Sequence, residues 1–287
     1  MDVGTALAHR RGAATRADLF ALGVTRAALD LAVRRGAVVR PYRGIYALAG
    51  ASPVSVECAR LHAEPTCLTL LGELGLPVMG HIDRPHLRVD PERTFSGRHR
   101  EPKIASRLHW SERPEPGLDA VRTALGIASA CTTPREHLAL IDGALARMWI
   151  TRHEIARLPH APIARARWLA RWADGRAGSG LETFARVAIT SRGMKVRSQV
   201  EYAGVGRVDL LVNGAVVVEA DGRSYHSDSS AFANDRRRDR MLQLAGLAVM
   251  RFTYDDIVRE PERVADEVAR AVRLIRQRRT GGLHRPK

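Results

Sequence analysis

Residues 195–256 carry the pattern that most restricts the fold. "KVRSQVEY" (195–202) alternates polar and apolar residues as a half-buried strand does. "GRVDLLV" (206–212) and "AVVVEADG" (215–222) flank Asn213-Gly214, which reads as a hairpin turn. A polar stretch with helical spacing follows, "AFANDRRRDRMLQLAGL", and then another apolar strand, "LAVMRFTYDD". Two neighbouring strands joined through a helix must be parallel, with a right-handed crossover. The sheet is therefore expected to be mixed. "SGLETFARVAI" before it and "EPERVADEVARAVRLIRQRR" after it supply covering helices. The order is α-β-β-β-α-β-α, an α/β arrangement.

The apolar run 215–218 ends in Glu219 and Asp221, which alternation puts on one side of the strand. Asp209 lies in the other arm of the hairpin. A two-residue loop at Asn213-Gly214 sets residue 209 opposite 218 and sends Asp209 and Glu219 to different faces. A three-residue loop, 213–215, sets 209 opposite 219 and gathers Asp209, Glu219 and Asp221 on one face. The Asn-Gly pair alone favours the shorter loop. A common carboxylate site requires the longer loop or a bulge, and one of those is expected here.

Taken together, "RVDLLV", "VVVEADG", "YH", "DRRRD" and "LAVMRFTYDDI" resemble a Vsr-like endonuclease family with a PD-(D/E)XK restriction-endonuclease-like core, over about residues 176–275. The resemblance implies a metal-dependent phosphodiesterase acting on DNA. Mg²⁺ (or Mn²⁺) would be held by Asp209, Glu219 and the Ala220 carbonyl, hard oxygen donors of the kind that ion takes. Glu182, on the helix before the sheet, would be an outer acid. Such folds usually place a lysine two residues after the glutamate, and this chain has Asp221 there. His226 would take the base role, with a pKa ordinarily near neutrality. Arg236 or Arg238 would stabilise phosphoryl charge. The plainer readings stay open: Glu182 as one half of a Ser179–Glu182 capping box, Asp221-Gly222 as a turn, and a site that binds metal and cleaves nothing.

At the other end, Thr15 and Asp18 form a capping box for a short helix, with Leu19, Phe20 and Leu22 available to a core and Gly23 past its end. Thr25 caps a second helix whose inner face is Ala28, Leu29, Ala32 and Val33. Two strands, 38–40 and 45–48, enclose a basic turn. Helix, turn, helix and basic hairpin make a winged helix-turn-helix. The second helix would enter the major groove and the hairpin would touch phosphate. Arg26, Arg34, Arg40 and Arg43 are the candidate DNA contacts. The first fifty residues also resemble the N-terminal domain of AbiEi-type antitoxins, which implies a DNA-binding autoregulator.

Between these ends the sequence says least. Residues 51–175 read as a mostly helical connector, with "HLRV" and "SRLHW" as short strands and "ADGRAGSG" as a glycine-rich joint. The histidines at 81, 86, 99 and 109 are scattered, without an i,i+4 pair, and are expected to be packed or solvated. The expected division is 1–50 winged helix, 51–175 connector, 176–275 nuclease domain and 276–287 basic tail. The net charge of +15 favours a polyanionic partner, DNA first. No apolar run reaches membrane-spanning length. Three separated cysteines without a C-x-x-C pair suggest a reducing cytoplasm and no zinc site. The function expected is a DNA-binding metal-dependent endonuclease. The alternatives are an AbiEi-like antitoxin or regulator with an inactive nuclease fold, and a nuclease subunit that needs a toxin, repair or restriction partner.

Overall fold

The computed structural model describes residues 1–92, 103–202, 204–221 and 229–281, without the side chains of 229–235 and 279–281. The chain forms two compact units: residues 1–74 with 81–127, and residues 75–80 with 128–287.

The first unit opens with α1 (Val3–His9), β1 (Ala13–Thr15), α2 (Arg16–Ala21), α3 (Arg26–Arg34), β2 (Val38–Tyr42) and β3 (Ile45–Leu48). The strands form an antiparallel sheet in the order β1-β3-β2. This is the winged helix-turn-helix. Thr15 and Asp18 make the reciprocal capping box, and the Thr25 hydroxyl accepts from the Ala28 amide. Leu19, Leu29, Val38 and Tyr46 share one core with α1 residues Ala6 and Leu7. Phe20, expected inside, is 41% exposed, because α2 turns only Leu19 fully inward. The unit continues through α4 (Pro53–Leu61), β4 (Glu64–Pro65), α5 (Cys67–Glu73), β5 (His86–Val89), β6 (Arg107–Trp110) and α6 (Leu118–Ala128). The strands expected at "HLRV" and "SRLHW" form, and the sheet order is β4-β5-β6. β5 and β6 are parallel, with Arg88 opposite His109.

The second unit holds α7 (Pro134–Ala146), α8 (Arg152–Ile155), α9 (Ile163–Trp172), α10 (Gly180–Ser191), β7 (Val196–Tyr202), β8 (Gly206–Val212), β9 (Val216–Asp221), α11 (Ser229–Leu244), β10 (Ala248–Thr253), α12 (Tyr254–Arg259) and α13 (Pro261–Gly281). The sheet order is β10-β9-β8-β7. β7, β8 and β9 are antiparallel, while β9 and β10 are parallel, as the strand–helix–strand step requires. Leu210, Val216 and Val218 face Phe184, Ala185, Val264 and Val268 of the covering helices α10 and α13. Leu211 and Val217 face Leu242 of α11 on the other side. Fully burying an aliphatic side chain of this size contributes about 1.5–3 kcal/mol, so these two faces fix the strand register.

The helix α13 continues through Gly281, so the start of the expected basic tail is helical; residues 282–287 lie outside the described residues. No helix among the described residues is long and apolar enough to cross a membrane.

Candidate active site

The hairpin register decides which acids can meet. Val212 pairs with Val216, Leu211 with Val217 and Leu210 with Val218. The loop is therefore the three residues Asn213, Gly214 and Ala215. Asn213 (φ 49°) and Gly214 (φ 65°) both take the left-handed conformation that the turn demands. Asn213 also ties the turn to the neighbouring strand, since its Oδ1 accepts from the Lys195 amide at 2.8 Å. Continued one step, this register sets Asp209 opposite Glu219.

The strands are distorted at that point. Gln199 of β7 has φ 52°, and pairing with β8 skips residue 209 between Ser198–Leu210 and Val200–Val208. Side-chain alternation slips with it: Val208 joins the α11 side of the sheet, whereas Leu210 joins the opposite core. A left-handed glutamine inside a strand costs on the order of 1–3 kcal/mol, and such strain gathers at functional positions. Here it places Gln199 between two acids. Its Nε2 donates to Glu182 Oε2 at 2.6 Å and to Asp209 Oδ1 at 3.4 Å.

Glu182 does not close the expected capping box. Ser179 Oγ does accept from the Glu182 amide, at 3.2 Å. The Glu182 carboxylate, however, accepts from the Gly178 amide at 2.8 Å and from Gln199, and so points toward the strands. Glycine at 178 leaves room for this arrangement: a Cβ there would lie 2.9 Å from Glu182 Oε1 and 3.0 Å from Gln199 Nε2 and would push those two side-chain ends aside. Asp209 Oδ2 accepts from the Ala220 amide at 3.0 Å, which anchors it on β9.

The electrostatics are those of crowded acids. Burial, reinforced by the charge of Asp209 and a hydrogen bond between the two carboxyls, pushes Glu219 up to about 7. Arg238 of α11 opposes this, with Nη2 2.9 Å from Glu219 Oε1. Burial also raises Glu182 above the usual carboxylate range; hydrogen bonds from Gly178 and Gln199 pull it back, and Asp209 adds to the rise. Arg251, itself paired with Asp239, opposes the rise from further away, so among the described residues two guanidiniums, one of them in contact, stand against three neighbouring carboxyls. Hard oxygen donors with uncompensated negative charge suit a divalent cation such as Mg²⁺, so Asp209 and Glu219 fit that role.

The other expected residues are placed differently. Asp221 ends β9, half-buried, pairing with Thr253 of β10 and on the Glu219 side by alternation. Arg236 is exposed on α11, and it is Arg238, one half-turn on, that reaches Glu219. Asp239 pairs with Arg251 at 2.5 Å. His226 lies outside the described residues. Arg26, Arg34, Arg40 and Arg43 are all exposed on α3, β2 and the following turn. Arg40 lies over the Tyr46 ring, 5.4 Å from its centroid.

Sequence reasoning missed Gln199, since only its backbone angle reveals why it stands among acids. It also missed a buried network one turn along α10. Asp142 of α7, 1% exposed, receives Arg186 Nη2 at 2.7 Å, Thr183 Oγ1 at 2.8 Å and the Asp174 amide at 2.7 Å.

Comparison with known proteins defines the class of each end. A family model named REase_MTES_1575, a restriction-endonuclease-like domain, matches residues 182–272. A model for AbiEi antitoxin transcriptional regulators matches residues 5–49. The chain thus carries a match to a transcriptional-regulator domain at one end and to a restriction-endonuclease-like domain at the other.

Two proteins of Mycobacterium tuberculosis, named only as uncharacterized proteins MT2308 and Rv2248, are each 28% identical over 277 residues, or 86% of this chain and 97% of theirs. The crystal structure of the RV2827C protein from the same organism shares 15% identity at a TM-score of 0.25, covering 65% of this chain and 74% of that one.

Proposed function

We propose that this protein binds DNA through its N-terminal winged helix and hydrolyses phosphodiester bonds at the Asp209–Glu219 site, as a Vsr-like, Mg²⁺- or Mn²⁺-dependent endonuclease. The division into residues 1–50, 51–175 and 176–275 is part of the proposal. One observation carries it: a three-residue loop and a strained Gln199 bring Asp209, Glu219 and Glu182 together with too little positive charge to balance them.

Asp209 and Glu219 would hold the ion, with the Ala220 carbonyl as a third donor. Bound there, the ion would neutralise phosphate charge and lower the pKa of a coordinated water. Gln199 and Gly178 orient Glu182. Arg238, now in contact with Glu219, and Arg236 on the same helix would supply positive charge to a phosphate oxygen. Asp221 stands where a lysine would activate water, so His226 is assigned the base. Exposed Arg26 and Arg34 on α3, with Arg40 and Arg43 on the wing, would meet DNA phosphates in a salt-dependent way.

A second reading is favoured by Asp221 and by the Arg238–Glu219 contact. It is an AbiEi-like regulator or antitoxin, acting with a toxin partner, whose nuclease fold only binds. Plasmid nicking with Mg²⁺ or Mn²⁺ separates the two. The proposal expects nicking by the wild type and a loss of roughly a hundredfold or more in Asp209→Asn and Glu219→Gln, as for removal of a transition-state charge partner. Nicking that survives both substitutions refutes the assigned site. Absent nicking with salt-sensitive DNA binding intact supports the regulator.

A further inference from the structure

The histidines that look scattered in sequence are gathered by the first unit. His86 opens β5 and is buried, and His109 is in β6, the parallel neighbour. His86 Nδ1 and His109 Nε2 are 3.1 Å apart, with the rings stacked at a centroid distance of 5.2 Å. Cys67, fully buried, opens α5 beside them. The Thr66 amide, immediately before it, donates to the His86 carbonyl at 3.0 Å, so the two segments are bound backbone to backbone. One thiol sulfur and one nitrogen from each imidazole lie within 4.8 Å of one another.

The geometry points to a zinc site formed by Cys67, His86 and His109 in the first unit. A tetrahedral ion with Zn–N of about 2.0–2.1 Å and Zn–S of about 2.3 Å sets its nitrogen ligands roughly 3.3 Å apart and its sulfur about 3.6 Å from each. The observed nitrogen pair is already at that spacing. Thiolate with imidazole is a soft-to-borderline donor set that suits Zn²⁺ and disfavours Mg²⁺ or Ca²⁺. Cys67 also carries strain, with φ 49° in a region that non-glycine residues rarely enter. That conformation starts α5 while keeping the cysteine against the imidazoles.

Binding is chemically simple. The thiol gives up its proton, each imidazole keeps its proton on the nitrogen away from the ion, and no redox change occurs. Three protein ligands leave a fourth position for water or a further donor. The site would fasten α5 to β5 and β6, strands of only four residues each. Short strands gain little stability alone, and metal binding adds directly to folding. Sequence spacing hid the cluster, because Cys67, His86 and His109 are 19 and 23 residues apart and match no compact finger motif.

The test is cobalt substitution of the full-length protein. One thiolate-ligated Co²⁺ per chain is expected, counted by its tetrahedral d–d bands and its thiolate-to-cobalt charge-transfer band, both displaced by Zn²⁺. Cys67→Ser should abolish the charge-transfer band, and His109→Gln should weaken binding at least roughly tenfold. Cys58→Ser, a buried cysteine outside the cluster, should leave the charge-transfer band unchanged. Circular dichroism of each variant checks that it is folded. A wild-type spectrum without the charge-transfer band, or a folded Cys67→Ser protein that retains it, overturns the assignment.

Discussion

Helix α10 takes part in two buried acid clusters about a turn apart; burial raises the acids in both, but their partners differ. At Asp142 every donor needed is present: Arg186, the Thr183 hydroxyl and the Asp174 amide converge on one carboxylate. Arg186 is itself held, with Nη1 2.8 Å from the Trp172 carbonyl. At Glu182, Asp209 and Glu219 the acids face one another, and Arg238 is the guanidinium in contact with them among the described residues, with Arg251 acting from further off. The Asp142 network ties α7, the end of α9 and α10 together, although Arg186 Nε is buried without a hydrogen-bond partner. The Glu182–Asp209–Glu219 cluster has fewer cationic contacts per acid, which is the feature the proposed metal site rests on. The contrast distinguishes a structural cluster from a chemical one without reference to any relative.

The sharpest way to break that distinction is Arg186→Met. It leaves Asp142 buried without its cation, and breaking a buried pair costs about 3–5 kcal/mol. Denaturant unfolding should show that loss. A cost under about 1 kcal/mol would mean that the Asp142 network is not structural.

The pH dependence of the second cluster comes next. Glu219 titrates at about 7 when folded, against an ordinary value of 4.5. Its protonated form is the one the fold favours, so its contribution is complete below about 4.5 and is lost as pH rises through 7. In metal-free protein this fall should be at most about 3 kcal/mol. Thermal unfolding from pH 4.5 to 8 measures it, and Glu219→Gln should flatten the profile. A wild-type profile that rises across this window would contradict the crowding of acids.

The smallest effect is Glu182→Gln. Removing one under-compensated buried acid should stabilise the metal-free protein slightly, by about 1 kcal/mol, the opposite sign to the Arg186 change one turn away. Unfolding midpoints of the two variants side by side test this, and a clear destabilisation by Glu182→Gln would place it with the structural acids.

Much of this architecture is legible in the sequence because alternation and crossover rules are local. Strands at 196–202, 206–212, 216–221 and 248–253, the parallel β9–β10 pair and the capped helices α2 and α3 all follow from such patterns. The carboxylates of the site are legible as residue types, and the three-residue loop could be posed as a condition. The rest depends on nonlocal geometry. The kink at Gln199 has no propensity signal. The Glu182 carboxylate turns away from its own helix because Gly178 and Gln199 offer better donors. Asp142 and Arg186 lie 44 residues apart. The Cys67–His86–His109 cluster forms only once β5 and β6 pair.

The central claim is that the Asp209–Glu219 cluster is short of positive charge and takes a divalent cation. Mn²⁺ binding followed by electron paramagnetic resonance at pH 8 and pH 5.5 tests it most directly. One Mn²⁺ held at pH 8 is expected, with weaker binding at pH 5.5 where Glu219 is protonated, and loss of that Mn²⁺ in Asp209→Asn. Equal binding by wild type and Asp209→Asn, or none at pH 8, would contradict it.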